Sequence, residues 1–253
     1  MSASFSTRFD KWRGSTISAL VLYPLWLVVA FVAAATIARG LFGALFPLLS
    51  HANGTVIVAV VGAVMYVVTL AIAVVLPRWL MHSPTTRAEL GVRPWLTWRD
   101  IGLSILGFVV ATILGLVLAV VAAQLWPGLD WSQVQTTGFE GAAGQADKIL
   151  AFVTLVVVAP MAEELIFRGY LYGKLRTRGI AMPLAIVVTS LMFALAHGQV
   201  NVGINVFALS LVLCALREFT GSIWAGVLVH MIKNGVAFYF LFINPIVLPT
   251  IGK

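Results

Sequence analysis

The sequence has few charged residues and almost no cysteine. Only 10% of its 253 residues are Asp, Glu, Lys or Arg, whereas soluble domains carry about 25%. A single cysteine excludes a disulfide scaffold or a cysteine-rich zinc module. Apolar residues make up 61% of the chain, and the mean hydropathy is +1.03, which excludes disorder. Because so few charges cannot cover a folded surface in water, we expect a lipid bilayer to be the main solvent.

Seven continuously apolar stretches are candidates for membrane helices, which need roughly 20 residues each. They cover roughly residues 17–38, 55–76, 101–123, 149–168, 183–198, 203–216 and 222–243, and the sixth is short. Continuous rather than alternating runs predict an all-α, polytopic transmembrane helix bundle of about seven spans. We expect one membrane domain, in which residues 1–148 are scaffold or substrate-guiding helices and residues 149–243 carry the chemistry.

The basic residues are distributed unevenly between the two ends of these spans. If the N-terminus is inside, the inner side has twelve: Arg8, Lys11, Arg13, Arg78, Arg87, Arg93, Arg99, Arg168, Lys174, Arg176, Arg178 and Arg217. The outer side has Arg39, Lys148 and Lys253. This bias follows the positive-inside rule and predicts a cytoplasmic N-terminus. The net charge of +7 then reflects topology and contact with anionic lipid, and we expect no nucleic-acid binding.

Ionisable side chains within the predicted spans all fall in the C-terminal half. Each costs on the order of 2.5–3.5 kcal/mol to insert, so each is a candidate functional residue. They are Glu163, Glu164 and Arg168 in the fourth span, His197 at the end of the fifth, and His230 and Lys233, beside the polar Asn234, in the seventh. Along their helices, Glu163 and His197 lie at similar heights, roughly 22 and 28 Å from the turn near Arg178.

These residue types have the chemistry for hydrolysis by an activated water. A carboxylate in a site of low dielectric can act as a general base, and a nearby imidazole can share the water or protonate the leaving amine. His230 and Asn234, four residues apart on one helix, can donate hydrogen bonds to an oxyanion. The alternative is a zinc-like metal bound by Glu163, His197 and His230. The spacing leaves both readings open, because there is no H-E-x-x-H motif.

Three short motifs resemble those of a known family. Glu-Glu-Leu-Ile-Phe-Arg at 163–168, Phe-Ala-Leu-Ala-His at 193–197 and His-Met-Ile-Lys-Asn at 230–234 resemble its patterns E-E-x-x-x-R, F-x-x-x-H and H-x-x-x-N/D. This is the CPBP family, which comprises the type II CAAX prenyl proteases and related bacteriocin-processing and immunity proteins. The motifs occur in the right order, each on its own apolar segment. The loop with residues 89–91 and 98–100 also looks like the family's segment ahead of its third helix.

The resemblance implies an intramembrane endopeptidase that cuts near the inner leaflet. In it, Glu163 would match the catalytic glutamate and His197 its partner on the water. His230 and Asn234 would match the pair that stabilises the oxyanion. Glu164 and Arg168 would orient the site as supporting residues.

Several functional alternatives follow from the same residues. Family members are described both as metalloproteases and as metal-independent glutamate proteases, and we expect the second type here, without a cofactor. The expected partners are membrane lipid and a peptide or lipidated-protein substrate, either CAAX-like or a leader peptide, and the oligomeric state is not predicted. The alternative function is a non-proteolytic membrane immunity or partner-binding protein. A small transporter is less expected, because no inverted repeat is visible.

Overall fold

The long apolar runs of this chain fold as helices, because in lipid a helix satisfies its backbone donors and acceptors internally. A computed structural model describes residues 16–49, 53–80, 84–131, 133 and 135–244. Within these ranges the regular structure is helical. Four basic residues that enter the predicted orientation lie outside the described residues, namely Arg8, Lys11, Arg13 and Lys253.

We number eight helices in the described part of the chain. They are α1 (Thr16–Leu49), α2 (Gly54–Trp79), α3 (Arg87–Leu90), α4 (Trp98–Leu125), α5 (Gln145–Thr177), α6 (Met182–Leu195), α7 (Val200–Thr220) and α8 (Trp224–Ile243). Six of them are long and apolar enough to cross a membrane, and α6 is a shorter apolar helix. The prediction of an all-α, polytopic membrane bundle of about seven spans is therefore confirmed.

Two predicted spans end at different residues in the structure. The stretch predicted as 203–216 belongs to α7, which has 21 residues. Polar Asn201 and Arg217 extend this helix at its two ends, because both side chains find backbone carbonyl partners. The stretch predicted as 183–198 is α6, with only 14 residues. A turn with Gly198 in the left-handed region, at φ 69°, follows it, so the short helix is the fifth and not the sixth.

Helix α5 is longer than the predicted 149–168, with 33 residues. Its C-terminal turns carry Lys174 and Arg176, which hydropathy alone places outside the membrane. Both side chains are paired with carboxylates, so these turns stay helical. Two π-helical segments interrupt α5 on either side of Glu163 and Glu164, namely Val153–Val158 and Leu165–Leu171.

A stripe of small and polar residues on α4 lets neighbouring helices approach closely. The buried residues of this helix recur every three or four positions: Asp100, Ser104, Gly107, Ala111 and Gly115. A methyl group placed on Gly107 would lie 2.9 Å from Leu216 of α7 and 3.0 Å from Val229 of α8. Small residues at helix contacts are the usual device for packing in lipid. Helices α4, α7 and α8 thus pack closely against one another.

Large apolar side chains are exposed along the outer faces of α1, α2 and α4. In water such a surface would drive association, whereas in a bilayer it contacts lipid. The buried aromatic side chains gather instead where α5 meets α6, with Phe167, Tyr170, Tyr172 and Phe193 all at 2% exposure or less. The polar residues predicted to be functional lie beside this aromatic core.

Candidate active site

The adjacent acidic residues Glu163 and Glu164 of α5 lie at the end of a short α-helical stretch, Ala159–Glu164, between the two π-helical segments. A π-helical turn inserts an extra residue into the helix and is frequent at functional sites. The two carboxylates differ in their surroundings. The side chain of Glu163 is 17% exposed, whereas that of Glu164 is completely buried.

Glu164 forms a buried ion pair with Arg168, one helical turn further along α5. Arg168 Nη1 donates to Glu164 Oε1 over 2.8 Å, and both side chains are fully buried. The guanidinium also lies over the ring of Phe193 on α6, 4.3 Å from its centroid. On the other side, Glu164 Oε2 packs against Gly226 of α8, where a methyl group would lie 2.9 Å away. The pair therefore joins three helices.

His230 of α8 lies between the two acidic residues. Its Nδ1 is 3.1 Å from Glu164 Oε1, and its Nε2 is 3.6 Å from Glu163 Oε2. The ring is 2% exposed. The distance to Glu164 is that of a hydrogen bond, whereas the distance to Glu163 is too long for one. His230 is therefore bonded to Glu164 and faces Glu163.

Glu163 has a second partner on a helix outside the three motifs. The hydroxyl of Tyr66, in the middle of α2, donates to Glu163 Oε1 over 2.6 Å. Such a short distance is typical of a hydrogen bond to a charged oxygen. Glu163 is therefore held through Oε1, while Oε2 is turned towards His230.

His197 lies in the turn after α6, half-buried at the edge of the same cluster. Its Nδ1 is 2.9 Å from the carbonyl oxygen of Phe193, and the two rings meet edge to face at 4.9 Å. The same Phe193 ring contacts the His230 ring at 5.7 Å. The carboxylate of Glu163 is within electrostatic range of His197. The ring of Phe193 thus contacts both His197 and His230.

Asn234 lies one turn after His230 on α8, and its side chain is engaged by the backbone. Its Nδ2 donates to the carbonyl oxygen of Leu155 over 2.9 Å. Leu155 belongs to the first π-helical segment of α5, Val153–Val158. Neighbouring Lys233 is within electrostatic range of Glu163.

Comparison with known proteins finds the same C-terminal region. The family model of type II CAAX prenyl endopeptidases, Rce1-like, matches residues 145–236, which contain all three motifs. The findings support membership of the CPBP family. The matched range includes α5, α6, α7 and most of α8, so it covers every predicted site residue.

Two curated relatives are similar to this CPBP chain over most of its length. The membrane-embedded CAAX protease MroQ of Staphylococcus aureus is 27% identical over 188 residues, covering 69% of this chain and 71% of the relative. An uncharacterised 24.3 kDa protein of Escherichia coli is 29% identical over 168 residues, covering 64% of this chain and 70% of the relative. No solved structure matches significantly. The family match and the apolar helices support an integral, multi-pass membrane protease.

Tyr66 is the member of this CPBP site that sequence reasoning missed. It lies outside the motifs and outside the matched range. The available signal was a lone phenol in the middle of an otherwise apolar span, since a buried hydroxyl usually needs a partner. Nothing in the sequence indicates that this partner is Glu163.

Two ring nitrogens at this site have protein partners. His230 Nδ1 is paired with Glu164, and His197 Nδ1 with a backbone carbonyl. Among the described residues, no three His, Cys, Asp or Glu side chains are grouped to hold a metal ion. A histidine that ligates a metal through Nε2 commonly has its Nδ1 bonded in this way, so the metal alternative stays a prediction.

Proposed function

We propose that this protein is an intramembrane endopeptidase of the glutamate type, which hydrolyses a peptide bond with a water activated by Glu163. The observation that carries the proposal is the arrangement of Glu163 against His230. The carboxylate is held through Oε1 by Tyr66 and presents Oε2 to an imidazole 3.6 Å away. A water that binds both groups lies where a general base acts on it.

The difference in exposure between the two side chains supports Glu163, rather than Glu164, as the carboxylate that reacts. Glu163 is 17% exposed and so can reach a water and a substrate. Glu164 is fully buried and neutralised by Arg168. We assign Glu164 and Arg168 to orientation of the site rather than to proton transfer.

Glu164 orients His230 much as a buried carboxylate orients the histidine of a hydrolytic triad. Glu164, which is paired with the guanidinium of Arg168, accepts the Nδ1–H of His230. In a neutral ring this tautomer leaves Nε2 as the acceptor that faces Glu163 and the water. His230 is thus assigned to the attacking water. In this tautomer Nε2 carries no hydrogen, so the oxyanion role that the family pattern implies for His230 falls to Asn234.

The remaining two motif residues complete the reaction. Glu163 takes a proton from the water as the water oxygen attacks the carbonyl carbon and the carbonyl oxygen becomes the oxyanion. When the oxyanion collapses and the C–N bond breaks, this proton passes from Glu163 through His197, at the accessible edge of the cluster, to the leaving amine, and Glu163 is again a carboxylate. Asn234 stabilises the oxyanion: its amide has two N–H donors, and the bond to Leu155 uses one. General acid–base catalysis contributes about 10²–10⁴-fold and one oxyanion donor about 10²–10³-fold.

The length of α5 supports cleavage near the inner leaflet. Its 33 residues span about 50 Å, against about 30 Å for the hydrocarbon core. The end with Lys174 and Arg176 therefore projects from the bilayer, which brings Glu163 towards that surface. With the N-terminus in the cytoplasm this is the inner leaflet, where lipidated CAAX-like peptides or leader peptides are the substrates.

Cleavage by the purified full chain tests this proposal. The protein is placed in phosphatidylethanolamine–phosphatidylglycerol vesicles with either a farnesylated CAAX peptide or a membrane-anchored leader peptide, and products are identified by mass spectrometry. We expect one bond to be cut by the wild type, and by a control Glu140→Gln in the exposed loop. Glu163→Gln and His197→Ala should lose the activity.

Three results would overturn the proposal or part of it. Loss of cleavage with a chelator, restored by zinc, would show a metalloprotease. Full cleavage by Glu163→Gln would exclude this residue as the base. Binding of a peptide without cleavage by any form would favour the non-proteolytic alternative.

A further inference from the structure

Residues 84–97, between α2 and α4, form a segment that we call the strap. Helix α3 within it is closed at both ends. Thr86 and Glu89 form a reciprocal capping box at its start, and Gly91, at φ 64°, ends it in the left-handed region. A second capping box, between Thr97 and Asp100, joins the strap to α4. These local bonds give the segment a defined shape although it is not part of a long helix.

The strap lies in a groove that two glycines form on α5. Gly169 and Gly173 are four residues apart and face the same side. A methyl group on Gly169 would lie 3.2 Å from the carbonyl oxygen of Leu90, and one on Gly173 would overlap the carbonyl oxygen of Glu89. Beside the groove, buried Lys174 donates to Glu89 Oε1 over 3.2 Å. Backbone therefore packs on backbone at this contact.

The same strap is bonded to α7 and to the start of α8. Arg217 Nη2 donates to the carbonyl oxygens of Ala88 and Glu89 over 3.2 and 2.9 Å. The backbone N–H of Ile223 donates to the carbonyl oxygen of Gly91 over 3.1 Å. Trp224, the first residue of α8, donates through its indole to the carbonyl of Arg93 over 3.0 Å.

These attachments are close in sequence to the two helices that carry the reacting pair. Gly169 follows Glu164 by five residues on α5, and Ile223 precedes His230 by seven residues, about two turns. We infer that the strap is a positioning element of the active site: it fixes α5 against α8 at the separation that the contact between Glu163 and His230 requires. This inference rests on the proposed catalytic use of that pair.

The site tolerates only a small relative shift of α5 and α8, so a segment that holds these helices together affects its geometry. The His230 Nδ1 to Glu164 Oε1 distance is 3.1 Å, close to the upper limit for a hydrogen bond. A relative shift of α5 and α8 by about 1 Å breaks that bond and turns the imidazole away from Glu163. Misplacement by about 1 Å can cost about 100-fold in rate.

Gly173→Ala tests the inference, because the added methyl group displaces the strap without touching the site. The matched control is Gly102→Ala on α4, where a methyl group meets nothing within 4 Å. We expect Gly173→Ala to lower kcat by about 100-fold with little change in KM, and the control to match the wild type. A second variant, Arg217→Met, loosens the strap from the other side, and Arg217→Lys should restore part of kcat.

A structural readout separates this inference from the proposed protease mechanism. The ring-nitrogen NMR signals of His230 report its bond to Glu164, and they should change in Gly173→Ala and Arg217→Met but not in Gly102→Ala. If these signals change while the wild type cleaves nothing, the strap positions the helices but the proposed function is wrong.

Three results would overturn the inference itself. One is wild-type kcat in folded Gly173→Ala. Another is a raised KM with unchanged kcat, which would show substrate binding rather than positioning. If Gly173→Ala does not fold, wild-type kcat and unchanged His230 signals in Arg217→Met would decide against the strap.

Discussion

Replacing Arg168 by Met removes the charge that neutralises buried Glu164. Arg168 and Glu164 are both fully buried and 2.8 Å apart, so water cannot replace the lost partner. Methionine is unbranched and apolar but shorter than arginine, so the variant also loses packing where the guanidinium lies over Phe193. A double-mutant cycle with Glu164 separates the ion pair from this packing loss.

The expected cost follows from the burial of the remaining carboxylate. Removing one partner of a buried ion pair typically costs about 3–5 kcal/mol. His230 Nδ1 remains as a second partner of Glu164, 3.1 Å from the same oxygen. We therefore expect the low end, about 3 kcal/mol, which is about a 100-fold loss in the ratio of folded to unfolded protein.

Unfolding in mixed detergent micelles measures this cost for three variants: Arg168→Met, Glu164→Gln and the double variant. Because Glu164→Gln removes the charge that Arg168 neutralises, the double variant should be more stable than the sum of the single losses predicts. A loss below about 1 kcal/mol in Arg168→Met, the range of solvated pairs, or strict additivity in the cycle would refute the reasoning.

Two further predictions concern groups at the edge of the site and in the strap. Tyr66→Phe removes the hydrogen bond to Glu163, so kcat should fall by about tenfold or more with KM unchanged, and wild-type kcat would contradict the assignment. Burial alone would raise the pKa of Glu89, but the backbone N–H of Thr86 and the charge of Lys174 outweigh it and lower that pKa. Glu89 therefore adds stability above its unfolded pKa of about 4.3, and this is lost as the pH falls through the lower folded pKa. The melting temperatures of wild type and Glu89→Gln, measured between pH 6 and about pH 3, should converge at the acid end. A difference in melting temperature that does not change with pH would contradict this prediction.

The membrane fold could be predicted because hydropathy reports directly on lipid contact. Helix ends could not, since they depend on tertiary partners. Asn201 extends α7 because the loop before α5 offers it a carbonyl, and Lys174 stays helical because Glu89 pairs with it. Neither partner is near in sequence, so a reading along the chain places these residues outside the spans.

The motifs predict which residues are candidates for the site, but they do not predict the hydrogen bonds between them. The motifs brought forward Glu163 and His230, which the structure places side by side. The side chain of Asn234 is bonded to Leu155 in a π-helical segment, which no sequence pattern predicts. Tyr66 enters from a helix assigned to the scaffold part, because helix packing rather than sequence order brings it to Glu163. The division at residue 148 stays a prediction.

The single-turnover rate of Glu163→Gln tests the central claim most directly, because it isolates the chemical step from substrate entry and product release. The control is Glu140→Gln, which makes the same carboxylate-to-amide change in an exposed loop. If Glu163 is the general base, its variant loses about 10²–10⁴-fold in this rate while the control keeps the wild-type rate. Equal rates for the two variants would contradict the account.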